Sequence, residues 1–274
     1  MNTYRLLFLS LLVICVGCGR PLFTYSSSKT VNATANKITG EQFYQQAMTM
    51  QWKQRDSFAL AAVMAGNIPS FLRRAAAVHV AVFDSATGKT NKATYFVMPD
   101  YLSIGSDENW ARIPLIPITA QIIADSFHCF LPTRKMVNDI YEASEIKLAP
   151  VPMYIYRDST VTMWQHHLII EGQRQGRKGL ISGIKKDVVI SDLLTRSVKQ
   201  HRVAIYGWLQ LNGKPIQPLY TGHVNWYADY SHGIRLVARK MKVNGEWMDY
   251  VDVMKHPVLR KLISDEAFSD VVRY

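Results

Sequence analysis

Cysteine is scarce in this chain: Cys15, Cys18 and Cys129 are the only three among 274 residues. A transmembrane-length apolar run is missing too, because Leu6–Val16 falls short of the roughly 20 residues a spanning helix needs. Acidic residues are outnumbered, 21 against 32 Lys and Arg, which leaves a formal charge of +11. The glycine patterns of dinucleotide and phosphate-loop sites are absent, so no organic cofactor is expected. Helix–turn–helix and zinc-finger spacings are absent as well, and the basic residues are scattered, so no nucleic-acid partner is expected. Neither an internal repeat nor a regular βαβ rhythm can be found. What remains is a chain with 48% hydrophobic and 19% charged residues, too apolar for disorder and long enough for a sizeable core.

The N-terminus carries the clearest targeting signal. Arg5 precedes the apolar run, and Gly17-Cys18 follows it, as in the h-region and cleavage site of a secretory leader. A cysteine after a small residue at that point resembles the lipobox of bacterial lipoproteins, which implies lipidation of Cys18 and removal of residues 1–17. Cys15 stands where that motif prefers leucine. An ordinary cleaved leader and an uncleaved anchor are the alternatives. With Cys15 removed and Cys18 lipidated, Cys129 is the one remaining thiol and no internal disulfide is possible. The cationic surface, placed outside the cytoplasm, favours anionic envelope partners such as wall polymers. The expected localisation is the cell envelope, with the protein held at the membrane through its lipid.

Residues 18–38 are rich in Ser, Thr and Asn and read as a flexible tether; residues 39–274 read as one α+β domain. Thr39 and Gln42 form a capping-box pattern that opens a helix running to about Ala65, stopped by Gly66-Asn67. Alternation predicts a strand over Ala75–Asp84 and a return strand after the polar turn that follows. Helices are expected over Ile118–Phe127, Thr133–Ile146 and Val161–Gln175, and strands over Leu180–Ser191 and Arg202–Leu211. Turns are marked by Asn212-Gly213 and Asn244-Gly245, and Pro257–Ser264 should close the chain as a helix. The fold class that results is α+β: a mixed, mostly antiparallel sheet with flanking helices.

Tyr220–Val237 (YTGHVNWYADYSHGIRLV) is the densest mixture of polar chemistry and aromatics in the chain. His223 or His232 can serve as a base, Asp229 can orient it, Ser231 or a water can be the nucleophile, and Arg235 can hold a substrate carboxylate. Ser231 and His232 should not pair directly, since neighbours on an extended strand face opposite ways. Two alternatives stay open: a zinc site built on His223, Asp229 and His232, and a loop whose buried His and Tyr groups simply hydrogen-bond to backbone. Ser231-His232-Gly233 with Arg235 resembles the SHGCxR signature of the L,D-transpeptidases, enzymes that re-link or trim peptidoglycan stem peptides. Ile234 occupies the place of that family's cysteine nucleophile, so its chemistry cannot run here unchanged. The segments FLRR, MPDYLSIGSD, LPTRKMVNDIY, IKKDVVI, RVAIYGW, PIQPLYTGH and YADYSHGIRLV resemble an uncharacterised family of secreted bacterial proteins over most of the mature chain. That likeness carries no activity.

Other candidates stand beside this stretch. Cys129 is either a nucleophile or a buried filler at the end of a helix. His166-His167 lie mid-helix with Glu171 about a turn away, and Lys185-Lys186-Asp187 read as a solvated strand start or a basic pair for an anionic substrate. Trp208, Trp226 and Tyr227 are candidate exposed platforms for sugar rings. The expectation is hydrolysis or trimming of an envelope polymer, peptidoglycan or polysaccharide. The rival is a non-catalytic lipoprotein that binds glycan or a partner protein.

Overall fold

The computed structural model describes residues 37–196, 198–267 and 272–274; the leader, Cys18 and nearly all of the expected tether lie outside them. The fold is α+β. Thr39 caps α1 (Gly40–Ala47) with the reciprocal Gln42 bond expected of a capping box. The single helix expected up to Ala65 is interrupted: Gln54 Oε1 accepts from Gln51 N at 3.1 Å and opens α2 (Trp52–Met64) as a separate element. Gly66 then ends α2 at φ 78°, a conformation that costs glycine little.

The hairpin of β1 (Ala76–Asp84) and β2 (Lys89–Val97) pairs in register from Ala76↔Val97 to Asp84↔Lys89. A short antiparallel pair, β3 (Ser103–Gly105) and β4 (Trp110–Arg112), precedes α3 (Pro117–Ser126). The tiny β5 (Cys129–Phe130) is followed by α4 (Arg134–Ala143), whose N-cap is Thr133 as the sequence suggested. Next come β6 (Ile146–Lys147), α5 (Thr160–Arg174, capped by Ser159), β7 (Ile181–Ser182), β8 (Lys186–Val189) and the short α6 (Leu193–Arg196). The C-terminal part runs through β9 (Ala204–Leu209), β10 (Pro215–Tyr220), β11 (His232–Gly233), β12 (Val237–Ala238), β13 (Lys240–Val243), β14 (Glu246–Asp249) and α7 (Tyr250–Lys255). Where a closing α-helix was expected, Leu259–Leu262 forms a short 3-10 turn.

Two sheets organise the molecule. The larger runs β14-β13-β2-β12-β5, with β1 on β2; the smaller runs β10-β9-β8-β11. Most pairings are antiparallel, but β11 lies parallel to β8, aligning His232 with Lys186 and Gly233 with Asp187. β9 flanks β8 on its other edge. A strand paired on both sides, with other elements against its faces, buries even its charged residues. Every residue of β8 is accordingly buried. This sandwiched strand brings the polar stretch into the protein.

Candidate functional site

Asp229 is the hub of the Tyr220–Val237 stretch. It is 1% exposed and accepts four hydrogen bonds or ion-pair contacts. Ser231 N and Ser231 Oγ donate to Oδ1 at 2.8 and 2.5 Å, while the Tyr227 hydroxyl and the Arg157 guanidinium reach Oδ2 at 3.2 and 3.0 Å. Burial opposes its charge, but His232, the Ser231 bonds and Arg157 outweigh burial and hold the carboxyl down to about 2. Asp229 is an anion at every physiological pH.

His232 follows within the same turn, its backbone N donating to Asp229 O at 3.0 Å. The ring is 1% exposed, and neither ring nitrogen has a hydrogen-bond partner among the described residues. Burial pushes its pKa down to about 4, against the pull of Asp229 and helped by His223, Lys186 and Lys185. The imidazole is therefore neutral at pH 7. The His223 ring lies 6.1 Å from it and the Tyr227 ring 5.8 Å, edge-on. His223 is half-buried, with its pKa lowered chiefly by burial. Burial and Asp229 together raise the Tyr227 hydroxyl, which keeps it a donor.

The cation beside this group is Lys186, aligned with His232 across β8 and β11. Its ammonium sits over the Trp208 ring at 5.0 Å, has no carboxylate within ion-pair distance among the described residues, and has its pKa lowered by burial. Lys185 points the other way along the strand. Its ammonium donates to Tyr230 O and meets His166 Nδ1 at 3.2 Å, and burial and Arg112 bring its pKa down to about 7. On α5 the neighbouring His167 lies against Arg112, which forks onto Asp100 and also pairs with Glu171. Buried polar groups thus extend from Asp229 into the body of the fold.

Several expectations are corrected. Ser231 is not poised against a histidine; its hydroxyl is bound to Asp229. Arg235 is not free to hold a substrate: it is 1% exposed, donates to Met98 O at 2.9 Å and Ile181 O at 2.7 Å, and lies 4.1 Å over the Tyr101 ring. Trp208 is no exposed platform, being buried with its indole N–H unpaired, whereas Trp226 is 47% exposed and Tyr227 half-buried. Lys185, Lys186 and Asp187 are buried rather than solvated. Cys129 pairs with Ala238 in the larger sheet, and burial raises its thiol well above the ordinary range, which makes it inert. Among the described residues no three His, Cys, Asp or Glu side chains gather as metal ligands, so the zinc alternative has no cage.

The glycine of the SHG motif has a steric reason. A Cβ on Gly233 would lie 2.5 Å from the Tyr101 ring and 2.6 Å from Lys185 Cβ. Ile234, where the transpeptidase signature carries its nucleophile, is fully buried in the main core. Arg157 had no signal in the sequence; it arrives from an irregular loop whose backbone is pinned by Tyr230 N to Arg157 O at 3.0 Å. Lys186 was visible as a charge before an apolar run, and only the flanking strands reveal its burial. No family model, curated protein or solved structure matches the chain.

Proposed function

We propose that this is an exported, lipid-anchored envelope protein that hydrolyses a cell-envelope polymer, with peptidoglycan peptide bonds the first substrate and polysaccharide the second. The observation that carries the reading is His232: a buried, neutral imidazole with both nitrogens unengaged, beside an ionised Asp229. A buried polar group without a partner is costly unless it has a task or a ligand. In the reaction, water attacks the scissile carbonyl and gives its proton to His232; Asp229 stabilises the imidazolium; the proton then passes to the departing amine. Arg157 and Lys186 take the anchoring role first expected of Arg235 and hold a carboxylate of the stem peptide. The His223 and Tyr227 rings cover His232, so substrate must turn them aside.

A non-catalytic lipoprotein that binds glycan or a partner protein is the second reading. It is favoured by the Ser231 hydroxyl being engaged by Asp229 and by the 1% exposure of His232. Purified sacculi incubated with the mature protein, beside a folded His232→Asn control, separate the two. Soluble fragments released only by the wild type support hydrolysis, and their masses name the bond. Co-sedimentation of both proteins without fragments sinks catalysis on this polymer and favours the binder.

A further inference from the structure

The C-terminal end of α5 borders a cleft of about 570 Å³, within the range of small-molecule sites, roughly 300 to 1,000 Å³. Its walls are the 3-10 turn Ser70–Arg73, the segment before β4 and the basic turn that follows α5. Arg174 is fixed in the wall: it stacks 5.5 Å over Phe71 and 5.3 Å over Trp110, pairs with Glu171 at 3.3 Å and donates to Arg177 O at 2.7 Å. The turn is held as firmly. Leu180 N donates to Glu145 at 2.6 Å and Ile181 N to Pro99 O at 2.9 Å. Gly179 has φ 145°, and a Cβ there would come 2.6 Å from Glu145 Oε2. The cleft is formed before anything binds.

Its charges balance on paper, with Asp107, Glu145 and Glu171 facing Arg74, Arg174 and Lys178. What differs is how far each is engaged. Asp107 accepts from Ser70 Oγ and Phe71 N, and Glu171 accepts from Arg112 and Arg174. Glu145 accepts one bond, from Leu180 N. Arg74 lies near enough to Asp107 to help lower its pKa, but within the described residues neither Arg74 nor Lys178 has an ion pair at bonding distance or a side-chain hydrogen bond. The unused capacity is therefore two cationic donors and one carboxylate oxygen.

We propose that this cleft is a second binding site, for a carboxylate-bearing saccharide. Arg74 and Lys178 hold the carboxylate, Glu145 accepts a hydroxyl or amide N–H of the same sugar, and Phe71, Pro99 and Leu180 line the ring. The site shares no lining residue with the group around Asp229 and His232, namely Arg157, Lys186, His223, Tyr227 and Ser231. It does not depend on hydrolysis, because its readout is binding alone.

The test is titration calorimetry of the mature protein with N-acetylmuramate, with N-acetylglucosamine (the same ring without the lactyl carboxylate) and with inorganic phosphate. Saturable binding of N-acetylmuramate at least tenfold tighter than of the other two is expected. The Arg74→Gln/Lys178→Gln double variant alters two exposed side chains and should weaken that binding at least tenfold, while His232→Asn leaves it unchanged. Equal affinity for the two sugars, phosphate binding as tight as N-acetylmuramate, no saturable binding, or indifference to the double variant would each overturn the proposal. So would loss of binding in His232→Asn, which would move the ligand to the other site.

Discussion

At the scale of single residues, Asp229 and His232 make acid a sensitive probe of this fold. His232 binds its proton at about 4 in the native state and at roughly 6.5 when unfolded. As pH falls below 6.5 the unfolded chain takes up that proton first, so stability is lost between about pH 6.5 and 4, by roughly 3 kcal/mol from this group. Asp229, held at about 2, adds stability above roughly pH 4 that is lost as pH falls toward 2. Asp187, which burial raises to about 6, slopes the opposite way between about 4 and 6. Because Asp187 is common to both proteins, the wild type minus His232→Asn difference removes its slope and leaves that of His232 together with its partner Asp229. Urea midpoints measured from pH 7 to 4 should fall more steeply in the wild type than in the variant.

Arg235 is predicted at the same scale. Arg235→Ala removes donors from two backbone carbonyls, Met98 O and Ile181 O, inside the fold. It should cost about 2–4 kcal/mol of stability, read by chemical denaturation. A fully stable Arg235→Ala protein would contradict the strut role and return Arg235 to the substrate.

At the scale of elements, β8 between β9 and β11 decides the chemistry of the site. Gly233 allows β11 to approach, since any side chain there meets Tyr101 and Lys185. Gly233→Ala should destabilise by about 1–3 kcal/mol or more, whereas Gly172→Ala, on α5 with nothing within 4 Å of the added carbon, should be neutral or stabilising by up to about 1 kcal/mol. A pair of melting curves checks both. Elements of this kind were legible unevenly. The β1–β2 hairpin and the Thr133 cap on α4 follow from local pattern, because alternation and side-chain capping act within a few residues. The two-residue strands β5, β6, β11 and β12 had no such pattern, since partners far along the chain define them. The break between α1 and α2 rests on the local Gln51–Gln54 cap, and β7 and β8 are two pieces of the strand expected over Leu180–Ser191.

At the scale of the whole molecule, charge and apolar surface bear on the partner. The +11 formal charge predicts that the proposed attachment to anionic wall polymer weakens as salt rises, because screening shortens the reach of exposed charges to about 8 Å at 0.15 M. Co-sedimentation with sacculi at 50 and 500 mM NaCl should show the loss; salt-independent binding would point to the aromatic and apolar contacts instead. Among the described residues no helix is long and apolar enough to cross a membrane. The proposed lipid attachment at Cys18 is tested by mass spectrometry of the mature N-terminus, a lipid-modified Cys18 supporting it and an unmodified or uncleaved N-terminus overturning it.

The amino-acid order alone determined the α+β class, the local caps and hairpin turns, and the position of the polar stretch, all of which follow from short-range periodicity and side-chain chemistry. Tertiary structure decided which of its residues meet. Arg157 reaches Asp229 from 72 positions upstream along the chain, Lys186 becomes a buried neighbour of His232, and Arg235 turns inward as a strut. Burial and long-range contact set the charge state and availability of each group, and neither quantity is a property of local sequence.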